Sequence, residues 1–74
     1  LADNGTGKLV DSVSATYNRV KVDGTWYYAD EDTVIYDVTG TSPVKVDLGD
    51  ISEGDKVQIF LGADGYLDFV KIVD

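Results

Sequence analysis

Hydrophobic and polar residues alternate most clearly near the end of the chain. In DKVQIFL, Asp55 to Leu61, the residues Val57, Ile59 and Leu61 share one parity, with Lys56, Gln58 and Phe60 between them. A period of two is the signature of a strand with one buried face. Gly62-Ala63-Asp64-Gly65 then turns the chain. Tyr66 to Val73 returns with Leu67, Val70 and Ile72 inward, a spacing that requires a bulge. Before this hairpin lies a polar corner, Leu48 to Gly54, predicted as an irregular turn or one turn of 3₁₀ helix. Leu48 to Val73 is the unit against which the upstream strands are expected to pack.

Leu1 to Gly7 (LADNGTG) reads as a turn-rich lead or linker. Lys8 to Ala15 is a first strand with Leu9, Val13 and Ala15 on one parity. Asp11 falls on that parity too, which implies a bulge or register shift near Val10. Arg19 to Ala29 is a hairpin around Asp23-Gly24, because both central residues of a type I′ turn need positive φ. Pairing Val22 with Thr25, Lys21 with Trp26 and Val20 with Tyr27 puts Val20, Val22, Tyr27 and Ala29 on one face. Arg19, Lys21, Trp26 and Tyr28 share the other. Asp30-Glu31-Asp32 is an acidic corner, Thr33 to Val38 a β-branched strand, and Thr39 to Pro43 a turn. Val44 to Val46 is a short strand, with Pro43 at its start where a missing N–H is tolerated. No window supports a helix of about ten residues, and turn signals recur about every 8–12 residues. The expected fold is all-β: one domain over residues 8–74, a small antiparallel barrel of six to seven short strands with OB-like or SH3-like closure. Closure would leave fewer unpaired strand edges.

Composition narrows the chemistry. A chain of 74 residues buries only about 60% of its unfolded surface, so a single core is the ceiling. It has no Cys and no His. That excludes thiol chemistry, imidazole bases and metal sites built on either ligand. Fourteen acids face six bases, a net charge of −8. This balance opposes binding to nucleic acid or anionic membrane, both of which need a basic footprint. No apolar run approaches the ~20 residues of a membrane-spanning helix. The first residue is Leu rather than Met, which reads as a processed product or a piece of a larger protein.

The order of motifs resembles a family. VKVDG-x-x-Y (Val20 to Tyr27) is followed by DTVIYDV-x-G (Asp32 to Gly40), then by LGDISEGDKVQIFLGADGYLDFVKIV. Together they resemble the small all-β modules of bacterial S-layer proteins and of cell-surface proteins that carry S-layer-homology domains. The resemblance spans roughly Val10 to Val73. It implies an extracellular, non-enzymatic module at the bacterial cell surface. Its partners would be neighbouring domains of the same or adjacent chains, or cell-wall glycan. Trp26 and Tyr28 depart from the pattern, since such modules usually carry polar residues on that outer face.

Several constellations remain to be weighed. Asp47, Asp50, Glu53 and Asp55 offer oxygen ligands for calcium. Their spacing differs from the EF-hand pattern, and the preferred reading is a turn whose side chains satisfy backbone N–H groups. Asp30-Glu31-Asp32, with Asp3 or Asp37, offers a second acidic corner, preferred as a solvated loop. A glycosidase needs two acids across a cleft, one of them desolvated; Asp37 and Asp68, the acids in apolar runs, are expected to point outward. No catalytic residue and no cofactor is assigned. Asn4-Gly5-Thr6 fits N-x-[ST], which matters only in a glycosylating host. Among the aromatic residues Trp26, Tyr28, Tyr36, Phe60, Tyr66 and Phe69, the best candidate surface is Trp26 and Tyr28 beside Arg19 and Lys21. Long basic side chains lie well over aromatic faces. Two functions follow: a structural or spacer module that packs against neighbouring domains, or a small binding module for carbohydrate or another OB-type ligand.

Overall fold

Among the described residues, six strands and one short 3₁₀ turn make up the fold. They are β1 (Lys8–Ser14), β2 (Arg19–Val22), β3 (Thr25–Asp37), β4 (Val44–Val46), β5 (Lys56–Leu61) and β6 (Leu67–Ile72), and the turn is Leu48–Asp50. The structure, a computed structural model, describes residues 7–74. The lead Leu1 to Gly7 therefore falls, apart from Gly7, outside the described residues, as do Asp3 and the Asn4-Gly5-Thr6 triplet.

The strands form one sheet in the order β2-β1-β5-β6-β3-β4, and β2 also pairs with β3. Each of β1, β2, β3, β5 and β6 thus has a strand on either side. The β2–β3 hairpin has the expected register: Arg19 opposite Tyr28, Val20 opposite Tyr27, Lys21 opposite Trp26 and Val22 opposite Thr25. Asp23 (φ 51°) and Gly24 (φ 84°) supply the two positive φ values of its turn. The Asp11 carboxylate accepts the Gly24 N–H at 2.7 Å and ties that turn to β1.

Three features differ from the sequence reading. The sheet is mixed, because β3 and β6 run parallel, with Ile35 opposite Val70 and Asp37 opposite Ile72. A parallel pair needs a long crossover, and β4, the 3₁₀ turn and β5 together provide it. Secondly, Asp30-Glu31-Asp32 does not separate two strands. It lies within the 13-residue β3, at a register shift against β6 between Ala29 and Val34. The Asp30 N–H donates to Thr33 Oγ1 at 2.9 Å, the Asp32 N–H to Asp30 Oδ1 at 3.0 Å, and the Thr33 hydroxyl to the Leu67 carbonyl at 2.6 Å. Side chains thus supply the partners that the ladder loses here. Thirdly, Leu9 points outward and is 54% exposed, whereas Val10 is buried. The expected irregularity is present between Val10 and Ser12, and it moves the inward parity from Val10 to Val13, which packs against the core.

The core is Val10, Val20, Val22, Ala29, Ile35, Leu48, Ile51, Val57, Ile59, Leu67, Val70 and Ile72. Full burial of one such branched side chain stabilises by about 1.5–3 kcal/mol. Val57 and Ile59 are buried and Leu61 packs at the edge, as their alternation predicts. Leu67, Val70 and Ile72 are also buried, across a register shift of β6 against β5.

Candidate interaction site

The outer face of the β2–β3 hairpin gathers four of the residues singled out in the sequence. Arg19 and Lys21 on β2 stand beside Tyr28 and Trp26 on β3, because opposite residues of a pair point to the same side. The Arg19 guanidinium lies over the Trp26 ring, 4.1 Å from its centroid. Its Nη1 donates to the Tyr28 hydroxyl at 3.0 Å. The Tyr28 ring is 5.8 Å away. Lys21 Nζ stands 6.0 Å from the Trp26 ring. Each close cation–π contact contributes roughly 0.5–1 kcal/mol when exposed and about 2 when desolvated.

Tyr17 completes this platform and was not among the sequence candidates. It is 68% exposed, and its ring centroid is 5.3 Å from the guanidinium. It sits in the loop between β1 and β2, where no alternation assigns it a face. What positions it is Asn18, whose φ is 55°. Asn18 Nδ2 donates to the Ala29 carbonyl and the Ala29 N–H to the Asn18 carbonyl, both at 2.8 Å. The Asn-Arg dipeptide after the tyrosine was the signal available, since Asn adopts positive φ more readily than most residues.

Arg19 Nε is buried and, among the described residues, has no acceptor. Among the described residues, no carboxylate is hydrogen-bonded to Arg19 or Lys21, whose partners are aromatic rings and one phenol. That is unusual company for a guanidinium on a chain of net charge −8. The rings hold the group flat and in place, with Nη1 engaged by the Tyr28 hydroxyl and Nε enclosed beneath the rings.

Tyr36, Phe60 and Phe69 lie elsewhere, across the outer side of β3, β6 and β5. Phe69 stacks on Phe60 with centroids 5.6 Å apart and meets Tyr36 edge-on at 5.9 Å. They pair across strands, half-buried, rather than joining Trp26 and Tyr28. Tyr66 is 45% exposed at the turn between β5 and β6.

The four acids weighed for calcium act as turn partners in part. Asp50 Oδ2 accepts the Asp47 N–H, and Asp55 Oδ2 accepts the Ser52 N–H, each at 2.9 Å. Among the described residues, no three carboxylates are grouped so as to hold a metal ion. Asp68 is exposed on β6. The Asp37 carboxylate accepts the Thr39 hydroxyl at 2.5 Å and the Thr39 N–H at 2.9 Å. The hydroxyl bond first, and the backbone bond second, hold its pKa below the usual 3.8.

No family model, no curated protein and no solved structure matches the chain.

Proposed function

We propose that this chain is a non-catalytic structural module of a secreted bacterial surface protein of the S-layer type, and that it packs against a neighbouring domain through the Arg19–Trp26–Tyr28 platform. The observation that carries the docking role is the guanidinium held by three aromatic rings, with no carboxylate of the described residues bonded to it. Arg, Trp and Tyr are the residue types in which interface binding energy concentrates. Placement at a bacterial surface rests on the motif order of Val20 to Val73. The non-catalytic reading rests on a sequence without His or Cys.

In this reading the fold is a closed barrel of OB-like kind. Its support is the run of pairings β1–β2, β2–β3, β3–β6, β6–β5 and β5–β1, which returns to its start and leaves β4 as an appendage. The same run favours the second function, a small carbohydrate-binding module, because OB-type barrels bind ligands on the face of their second and third strands. Here that face carries the platform.

Trp26 is the single tryptophan, so its fluorescence reports on the platform directly. Docking onto an acidic surface predicts a saturable change in Trp26 emission on titration with poly-glutamate, absent in Arg19→Ala. Neutral oligosaccharides should leave the emission unchanged. A response to the oligosaccharide alone would exchange the docking role for the carbohydrate one, and silence toward both would overturn the platform as a recognition surface.

A further inference from the structure

The molecule bears a second patch whose charge is opposite to that of the platform. Asp30, Asp32, Asp64 and Asp68 border a cleft of about 310 Å³, with Tyr66 at its wall and no base among its lining residues. It lies between the middle of β3 and the turn joining β5 to β6. Asp30 and Asp64 each accept a backbone N–H at 3.0 Å, from Asp32 and Tyr66 respectively. Those bonds orient the two carboxylates without neutralising them. Asp32 and Asp68 are exposed.

The two patches follow one another along a single strand. β3 carries Trp26 and Tyr28, then Asp30 and Asp32. A surface holding both signs side by side becomes complementary to itself under a two-fold rotation, where residue i meets j and j meets i. Building on the docking role above, we propose that the partner of the platform is a second copy of this chain. Arg19 and Lys21 of each copy face the Asp32–Asp68 cleft of the other. The guanidinium then meets a carboxylate, an arrangement suited to a planar fork. Tyr28 and Tyr66 line the same contact with apolar area. The net charge of −8 per copy adds long-range repulsion, which is screened beyond about 8 Å at physiological ionic strength. The contact therefore belongs to roughly 0.15 M salt rather than to dilute buffer.

A charge exchange tests this. Arg19→Glu gives the platform the sign of the cleft, and Asp32→Lys with Asp68→Lys gives the cleft the sign of the platform. Sedimentation velocity of the wild-type chain over a concentration series should show a monomer–dimer equilibrium. Each variant alone should sediment as monomer, and their equimolar mixture should recover the dimer, since both contacts are again between opposite charges. Wild-type chain that stays monomeric throughout, an Arg19→Glu dimer equal to wild type, or a mixture that remains monomeric would each overturn the proposal. The wild-type series does not depend on how well either variant folds. Monomeric wild-type chain whose Trp26 emission still responds to poly-glutamate would overturn the second copy as partner and leave the platform standing; loss of both responses would remove the two together.

Discussion

Arg19 is the only arginine in the chain and Trp26 the only tryptophan, and they are stacked on each other. The contact depends on the shape of the guanidinium as much as on its charge. A lysine at position 19 would keep the charge, yet lose the flat face on Trp26 and the directed bond to Tyr28. Arg19→Lys should therefore destabilise the fold by about 0.5–2 kcal/mol, read as a lower midpoint in urea denaturation with an unchanged slope. Asp37 allows a second check at this scale. Its pKa is lowered in the folded state by Thr39, so its contribution to stability is complete above the ordinary carboxylate range. The contribution fades as pH falls through the lowered folded value. In an NMR pH titration the Asp37 carboxyl should report a midpoint below the usual 3.8, and Thr39→Val should return it toward that value.

At the scale of elements, the β2–β3 hairpin was legible to the residue, and the reason is local. Asp23-Gly24 dictates a two-residue turn, and such a turn fixes every pair that follows. Gly24 has φ +84° and nothing within 4 Å of where a Cβ would stand. Gly24→Ala should thus cost only the conformational penalty, about 1–2 kcal/mol, measurable as a lowered melting temperature without any change in the Trp26 environment. β3 was not legible as one strand. Three consecutive acids look like a turn, but Asp30 and Thr33 replace the missing ladder bonds with their own side chains and keep the chain extended. Leu9 misled for a related reason. Parity holds only between bulges, and the shift after Val10 exchanges the faces of β1.

At the scale of the whole molecule, the all-β class and the inward residues of β5 follow from alternation, and those of β6 from alternation across one bulge. The parallel β3–β6 pairing does not, because strands so distant in sequence share no turn that could announce their register. That pairing matters to the acidic cleft, since it sets the middle of β3 beside the start of β6 and so brings Asp30 and Asp32 to Asp68. The site itself divided in the same way. Arg19, Lys21, Trp26 and Tyr28 could be placed on one face from the hairpin register, whereas Tyr17 could not, because a loop residue has no periodicity to read. Nor did the sequence reveal that, among the described residues, no carboxylate is bonded to the guanidinium, which depends on where the acids fall in three dimensions.

The central claim is that Arg19 is held by aromatic rings so that its guanidinium meets a carboxylate from outside. Because the chain has one arginine, its Nε–H gives one NMR signal free of overlap, from a buried atom that has no acceptor among the described residues. On titration with poly-glutamate, that signal should shift and saturate together with the Trp26 indole N–H, as the guanidinium it belongs to is engaged, while amides of the core strands β5 and β6 stay in place. An Arg19 signal that does not move while the rest of the spectrum does, or that moves equally with poly-lysine, would contradict the account.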